Sequence, residues 1–341
     1  MWDVVSLGEV MLRFDPGEDR INTARNFRVW EGGGEYNVAR NLAKCFRRRA
    51  AIVTALADNQ IGRLVEDLIL QGGVDASQIL WRETDGISRE VRNGMYFMER
   101  GFASRPPTGC SDRGNTAISK LKLGEIDWNV IFAEGTRWLH TGGIFAGLSE
   151  STAEVASEAM QAAKESGAIV SYDLNYRESL WSGRGGREAA NELNNELLTF
   201  ADVVFGIEGF ETSVTGFSER SLRDAATTMM SRHPNIKILA TTLRDVHSAS
   251  QHNFSGACFS DAQVFRSKDH MNVHVLDRVG SGDAFAAGLI HGVLAGESLQ
   301  TSIDLASASG VLAMASAGDG SSATFREIAT LAQGTKSTTV R

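Results

Sequence analysis

An α/β fold with a doubly wound, mainly parallel sheet, helices on both faces and a small β-rich lid is predicted by three features of the sequence. Strand-like apolar runs alternate with helix-like ones over most of the 341 residues. Two segments with short β-like pieces interrupt this alternation, and a glycine-rich loop precedes a helix near the carboxyl end. Such alternation is typical of parallel sheets, whose ligands bind beyond the carboxyl ends of the strands.

Strands and helices are predicted in pairs from the amino end, from short apolar runs and from apolar residues at helical spacing. The successive pairs are 4–8 with 37–45, 51–55 with 62–71, 138–141 with 151–166, 168–173 with 186–198, and 202–205 with 221–232. A further strand is predicted at 236–241, and the strand 273–276 leads through the glycine loop into the helix 284–294. This order places Asp173, Arg244 and the loop 277–283 at the carboxyl edge of the sheet.

The predicted lid consists of residues 11–30 and 88–119. Neither segment has a helical period, and the second contains glycines and prolines at 94, 101, 106, 107 and 109. A lid over the ligand edge would exclude water from the site. Two long surface loops are the alternative. Residues 1–10, 31–87 and 120–334 would form the α/β body, and the polar residues 335–341 a flexible tail.

Composition and charge favour a small-molecule ligand over nucleic acid or a membrane. The net charge is −8, and the dense basic run at 47–49 is short, which argues against a nucleic-acid-binding surface. No run of about 18 apolar residues occurs, and the amino end lacks a basic region before an apolar run, so a cytoplasmic protein is expected. Cys45, Cys110 and Cys258 are odd in number and far apart, which fits reduced thiols.

The glycine-rich segment 277–288 carries the strongest chemical signal. Backbone N–H groups of Gly280, Ser281, Gly282 and Asp283 would converge with the positive end of the following helix and form a nest for an anion. A carboxylate beside an anion is repulsive unless it has a chemical role. Facing an acceptor hydroxyl, Asp283 would act as a general base. The alternative is that Asp283 only caps the helix.

Other routes to nucleotide and metal chemistry lack their motifs. The Gly-x-x-x-x-Gly-Lys-Ser/Thr loop, the protein-kinase motifs and the dinucleotide fingerprint Gly-x-Gly-x-x-Gly are absent from the sequence. The histidines have no metal-ligand spacing, so a histidine-based mechanism is not expected.

Two motifs together resemble the signatures of the ribokinase-like, PfkB-type family of carbohydrate kinases. The first is the segment 32–43, which begins with three glycines, and the second is the segment 277–288. The resemblance covers nearly the whole chain and implies the fold of that family. Within the family the chain is most similar to 2-keto-3-deoxygluconate kinases, through residues 8–13, 139–143, 173–177 and 241–244.

The resemblance implies a catalytic centre and a nucleotide site. Asp283 would be the base that activates a primary hydroxyl, with Gly280, Ser281 and Gly282 as the anion hole. ATP would contact five positions, which are Asn175, Thr242, Arg244, Gly280 and Gly282. ATP and Mg²⁺ are implied, with a monovalent cation such as K⁺ held near Asp277 and the backbone of Val279 and Gly318.

The substrate site implied by the resemblance consists of Gly33, Gly34, Asn37, Tyr96, Arg113 and Arg177. The two glycines would let a sugar approach the backbone. The guanidinium group of Arg177 suits a sugar-acid carboxylate, since two parallel N–H donors meet two oxygens. The alternative for Arg177 is a surface ion pair with Glu178 or Glu188.

Two departures from the family pattern affect the substrate and the metal. Ser111 and Asp112 stand where 2-keto-3-deoxygluconate kinases usually carry aromatic residues, and a carboxylate there would repel an acid unless it points away. The Asn-x-x-Glu element that helps to organise Mg²⁺ is missing after the strand 202–205. Glu208 is predicted to replace it, with Glu211 as the second choice, and the alternative is that both are solvated residues.

These features imply ATP-dependent phosphorylation of the terminal hydroxyl of 2-keto-3-deoxygluconate. A fructokinase or another sugar or sugar-acid kinase is the alternative. A catalytically silent sugar-binding sensor is an alternative of a different class. A homodimer is expected from family analogy, without a nucleic-acid or membrane partner.

Overall fold

The computed structural model describes residues 1–133 and 135–334, so the predicted tail 335–341 lies outside the described residues. Its strands are β1 (Val4–Leu7), β2 (Met11–Asp15), β3 (Arg28–Gly32), β4 (Ala50–Ala57), β5 (Ile79–Arg82), β6 (Met95–Glu99), β7 (Thr108–Asp112), β8 (Trp138–Gly142), β9 (Ile169–Asp173), β10 (Val203–Phe205), β11 (Ile238–Ser248), β12 (Gln251–Ser260), β13 (Gln263–Arg266) and β14 (His270–His274). Its α-helices are α1 (Gly34–Phe46), α2 (Gln60–Gln71), α3 (Trp128–Ala133), α4 (Gly143–Ala146), α5 (Glu150–Glu165), α6 (Glu178–Trp181), α7 (Gly186–Leu197), α8 (Glu219–Arg232), α9 (Ser281–Ala295), α10 (Leu299–Ala313) and α11 (Phe325–Ala332).

Most strands form one large sheet in the order β13-β12-β11-β10-β9-β8-β1-β4-β5, with β14 beside β12. From β5 to β11 every pair of neighbours is parallel. Helices cover both faces, which is why all eight residues of β4 are buried. The predicted α/β class with a mainly parallel sheet is confirmed.

The carboxyl-terminal part of this sheet differs from the predicted alternation. Strand β12 pairs antiparallel with β11, β13 and β14. The strand predicted at 273–276 lies on this antiparallel edge and ends at His274. An apolar run can lead into a hairpin or into a helical crossover. The apolar pattern alone therefore did not show whether these strands are antiparallel or parallel.

Two apolar layers pack on opposite faces of the sheet. One contains residues of α1, α9 and α10, and the other contains residues of α5, α7 and α8. Neighbouring residues of β1, Val4 and Val5, belong to different layers, as the alternation of side chains along a strand requires. The layers fix the strand ends against the helix starts, where ligands of such sheets bind.

A second, small sheet has the order β3-β2-β6-β7. Strand β2 is antiparallel to β3 and parallel to β6, which is antiparallel to β7. Phe14 stacks on Phe97 with ring centroids 5.0 Å apart, and Phe27 meets both rings edge-on. This aromatic cluster gives the predicted β-rich element a core of its own.

Among residues 1–133 and 135–334, no helix has both the length and the apolar character needed to span a membrane.

Candidate active site

The anion loop, residues 277–283, leads directly into α9. Gly280 precedes the helix with φ 74° in the left-handed region. A side chain there would be strained, and its Cβ would overlap the carbonyl oxygen of Asp319. At Gly282 a Cβ would meet nothing within 4 Å, so the space in front of the helix start is open. Free N–H groups and the positive helix end therefore face a cavity that an anion can enter.

Asp283 lies half-buried in the first turn of α9. Its Oδ2 atom accepts a hydrogen bond of 2.7 Å from Nδ2 of Asn37, which belongs to α1. Burial raises the pKa of Asp283 to about 7, helped by the charges of Asp173 and Asp319 and opposed by Asn37 and Arg177. A carboxylate with this pKa is suited to accept a proton near neutral pH.

The backbone beside Asp283 is open because glycines form the start of α1. A Cβ at Gly34 would stand 4.0 Å from Oδ1 of Asp283 and 3.8 Å from Nδ2 of Asn175. A Cβ at Gly33 would overlap the carbonyl oxygen of Glu9. A hydroxyl-bearing ligand can therefore approach the backbone next to the carboxylate.

Arg177 follows β9 and extends into the same cavity as Asp283. Within residues 1–133 and 135–334 it forms no ion pair, so the alternative pairing with Glu178 or Glu188 is not observed. Asp173 is nearby, and burial raises its pKa to about 6 while Arg177 lowers it. The guanidinium group of Arg177 is thus available to an anionic ligand.

Two other predicted substrate residues line the cavity but already have partners. Nε and Nη2 of Arg113 donate to Oε2 of Glu9 at 3.0 and 2.5 Å. The hydroxyl of Tyr96 donates to Oδ2 of Asp319. Asp112 points away from the cavity, since its Oδ1 accepts from Arg92 at 2.7 Å, so it does not repel an acid there.

The opposite side of the cavity carries two arginines without an acidic partner in the described residues. Nη2 of Arg244 donates to Oγ of Ser281 at 2.6 Å, and its guanidinium lies 5.3 Å from the ring centre of Phe254. Burial and the neighbouring Arg278 lower the pKa of Arg244 to about 10, so it stays charged at neutral pH. Arg278 belongs to the anion loop and Arg244 contacts it through Ser281, which makes this side suitable for a polyphosphate.

Sequence reasoning missed Arg278, although its place inside the glycine-rich loop was a usable signal. It also missed Arg13 and Asp319, which are 306 residues apart and meet below the loop. Nothing in the local sequence indicates that pairing.

Three predicted metal positions lie outside the cavity lining. Oε2 of Glu208 accepts from Arg232 at 2.8 Å, and Glu208 lines a separate depression beside α8. It follows β10 and does not line the cavity with the anion loop, so its assignment to Mg²⁺ stays a prediction. Asp277 is paired with Arg13, and Gly318 is buried against Trp30. No group of three or more His, Cys, Asp or Glu within the described residues could hold a metal ion.

One cavity of about 720 Å³ brings the remaining predicted residues together. They are Gly33, Gly34, Asn37, Tyr96, Arg113, Asn175, Arg177, Thr242, Arg244, Gly280, Ser281, Gly282 and Asp283. The small sheet contributes to the lining through β6 and β7. The volume lies within the range of small-molecule sites, about 300 to 1,000 Å³.

A phosphotransferase must bind a polyphosphate and must hold an acceptor hydroxyl beside a base. This cavity can accommodate both ligands. Residues 1–208 and 254–326 match the family model described as pfkB family carbohydrate kinase. The chain belongs to this family, and it is a carbohydrate kinase. Kinases of this family use ATP.

Relatives and solved structures extend over nearly the whole chain. The 2-dehydro-3-deoxygalactonokinase of Haloferax volcanii is 28% identical over 93% of this chain and 92% of its own length. The crystal structure of 2-dehydro-3-deoxygluconokinase from Thermotoga maritima is 33% identical, with a TM-score of 0.88 over 97% of this chain and 98% of that one. An Escherichia coli structure described as a ribokinase II with ATP and Mg²⁺ shares the fold, at 17% identity and a TM-score of 0.78 over 98% of this chain and 100% of that one.

Proposed function

We propose that the protein transfers the γ-phosphoryl group of ATP to the terminal hydroxyl of 2-keto-3-deoxygluconate, giving the 6-phosphate and ADP. The observation that carries this proposal is that Arg177, which has no ion pair in the described part of the chain, lines the cavity that also holds Asp283. A sugar acid offers a carboxylate to Arg177 and a hydroxyl to Asp283. The names of the Haloferax and Thermotoga relatives, both kinases of 2-keto-3-deoxy sugar acids, support the same substrate class.

Asp283 acts in this mechanism as the general base. As a carboxylate it takes the proton of the acceptor hydroxyl while the hydroxyl oxygen bonds to the γ-phosphorus. The bond from that phosphorus to the bridging oxygen breaks, and ADP leaves with the electron pair. Asn37 holds the carboxylate through its 2.7 Å hydrogen bond, so the base is oriented before the substrate binds.

Charge on the transferring group is stabilised by the anion loop and by Arg244. The N–H groups at the start of α9 point to the open space at Gly282, and Arg244 is fixed beside them through Ser281. Such donors are in place before charge develops and need little reorganisation. Arg278 on the same side suits the remaining phosphates of ATP.

The residues present fit ATP better than they fit a protein-held metal site. Anionic phosphates match the two arginines without acidic partners and the helix start. Mg²⁺, when bound, neutralises phosphate charge, and it is usually held by phosphates, waters and one or two carboxylates. Asp173, Asp283 and Asp319 are the carboxylates that line the cavity, and Asp319 is already paired with Arg13, so Asp173 and Asp283 are the ones that would contact such an ion.

The proposal is tested by an acceptor panel with purified protein, ATP and Mg²⁺. The panel compares 2-keto-3-deoxygluconate, fructose, ribose and tagatose through ADP release, with the product identified by mass spectrometry. The highest kcat/KM is expected for the sugar acid. A higher value for fructose would support the fructokinase alternative, and binding without ADP release for every acceptor would support the sensor.

A further inference from the structure

Arg13, in the middle of β2, is fully buried among acidic groups of the α/β body. Its Nη2 donates to Oδ2 of Asp277 at 2.5 Å, and its Nη1 donates to Oδ1 of Asp319 at 2.7 Å. Burial alone would lower the pKa of the guanidinium, but the two carboxylates raise it above its ordinary value. Arg13 is therefore a permanent internal cation, and both carboxylates depend on it for neutralisation.

Asp277 and Asp319 contact the anion loop at two different points. Asp277 is the first loop residue, and its Oδ1 accepts from the backbone N–H of Val279 at 3.2 Å. The carbonyl of Asp319 packs against Gly280 so closely that a Cβ would overlap it. The guanidinium thus links the start of the loop to the segment that supports its middle.

The same network reaches the proposed base. Nδ2 of Asn37 lies 2.7 Å from Oδ2 of Asp283 and 3.4 Å from Oδ2 of Asp319. Tyr96 also donates to Asp319, and it is the register partner of Arg13 in the parallel pair of β2 and β6. Two neighbouring strands of the small sheet are therefore anchored to Asp319, whose backbone carbonyl packs against the loop at Gly280.

A monovalent cation at the predicted position does not fit these residues. Of the two carboxylate oxygens of Asp277, one accepts from Arg13 and the other from Val279. Gly318, which was predicted together with Val279 to complete this position, is buried against Trp30. A metal ion between Asp277 and Asp319 would stand beside a buried guanidinium of the same charge, which is unfavourable.

We propose that the guanidinium group of Arg13 takes the place of an exchangeable monovalent cation and positions the anion loop for phosphoryl transfer. Arg13 acts through Asp277 and Asp319, so it is a positioning residue. The expected kinetic effects rest on the proposed function. The expected absence of a cation site does not depend on which acceptor is phosphorylated.

The first experiment measures the melting temperature of the wild-type protein in chlorides of K⁺, Na⁺ and tetramethylammonium at equal ionic strength. A site that K⁺ saturates would raise the melting temperature by several degrees, because a ligand that binds only the folded state stabilises it. No difference among the three salts is expected, and kcat/KM should change less than about twofold. Stabilisation and activation specific to K⁺ would overturn the inference. The melting series does not need turnover, so it gives an answer even if no acceptor is phosphorylated.

The second experiment compares Arg13→Met and Arg13→Lys with the control Arg100→Met. Arg100 pairs with the buried Asp15 of β2 at 3.4 Å, and within residues 1–133 and 135–334 it has no ion pair with the anion loop. Arg13→Met is expected to lower ADP affinity and kcat by about tenfold or more, with partial recovery in K⁺, and Arg13→Lys should fall between it and the wild type. Arg100→Met should lower the melting temperature and leave ADP affinity unchanged.

Equal ADP affinity and kcat in Arg13→Met and Arg100→Met would reduce Arg13 to a structural ion pair and contradict the inference. If Arg13→Met does not fold, Arg13→Lys carries the test. A lysine variant with wild-type ADP affinity and kcat would show that the two-armed guanidinium is not needed, which also contradicts it.

Discussion

At the scale of single residues, the reactivity proposed for Asp283 comes from its surroundings. Aspartate ordinarily has a pKa near 3.8, and burial raises the value here to about 7. Asn37 orients the carboxylate, and the glycines beside it leave room for an acceptor. An ordinary surface aspartate at the same helix position would only cap the helix.

Asp283→Asn is expected to lower kcat by about 10² to 10⁴ because the amide cannot accept the hydroxyl proton. ADP affinity, measured by calorimetry, should stay within about threefold of the wild type, since Asn keeps the shape of the side chain. Asp112→Asn is a matched control at an exposed carboxylate paired with Arg92, and it should retain activity. Near-normal turnover of Asp283→Asn would remove the base assignment.

The pH dependence of kcat/KM gives a second prediction for Asp283. The base works as a carboxylate, and its raised pKa of about 7 means that it becomes protonated as the pH falls through that value. The rate should therefore fall about tenfold per pH unit below the midpoint and level off above it. A midpoint near 4 in the free enzyme would show that the carboxylate is not perturbed as described.

Much of this residue-scale description could be predicted from sequence, because the loop, its base and its glycines are contiguous. Arg177 and Gly33 were also found, since each belongs to a short family motif. Arg13 was not found, because its role depends on two acids more than 260 positions away. Glu208 pairs with a nearby arginine on α8, a contact that the sequence does not show, and its assignment to Mg²⁺ stays a prediction.

At the scale of elements, α1 and α9 place their first turns next to each other in the cavity, where Asn37 of α1 donates to Asp283 of α9. Glu35 in the first turn of α1 is buried, and its Oε1 accepts from the backbone N–H of Phe145 at 3.2 Å. Its Oε2 has no hydrogen-bond partner among residues 1–133 and 135–334. Burial raises the pKa of Glu35 to about 8, so the acid is mostly neutral at pH 7 despite its place at a helix start.

Glu35→Gln tests this burial through stability. Because the folded pKa of about 8 exceeds the ordinary 4.5, the folded state retains a proton that the unfolded chain releases. Wild-type stability should therefore fall as the pH rises from 4.5 to 8, whereas the glutamine variant lacks this loss. Urea unfolding should show an advantage of Glu35→Gln over the wild type that grows between pH 5.5 and 8.5 by a few kcal/mol, on the order set by the pKa shift. An advantage that shrinks with pH would contradict the buried neutral acid.

The antiparallel end of the sheet marks the limit of prediction at this scale. Strand β11 was predicted to end at 241 but continues to Ser248 and returns as β12. The extension carries Thr242 and Arg244 past the sheet edge, beside the anion loop. Polar residues in this extension obscured the strand, because tertiary pairing with β12 rather than local apolar character forms it.

At the scale of the whole molecule, the small sheet and the α/β body share the cavity. Tyr96 and Gly109 of the small sheet line it together with Asp283. We propose that this sheet is the lid that excludes water during transfer. The homodimer stays a prediction, and the fully exposed edge strand β7 is a surface that suits it.

We propose that this kinase recognises a sugar-acid acceptor through Arg177. The substitution Arg177→Ala tests this most directly, through its effect on the phosphorylation of two acceptors. The measurement is kcat/KM for 2-keto-3-deoxygluconate and for fructose, with Arg187→Ala as the control at an exposed arginine that packs on Tyr176. Loss of a charge-assisted pair should lower the sugar-acid value by about tenfold or more, about 1.4 kcal/mol, while the fructose value changes little. Equal losses for both acceptors, or no loss for the sugar acid, would contradict the account.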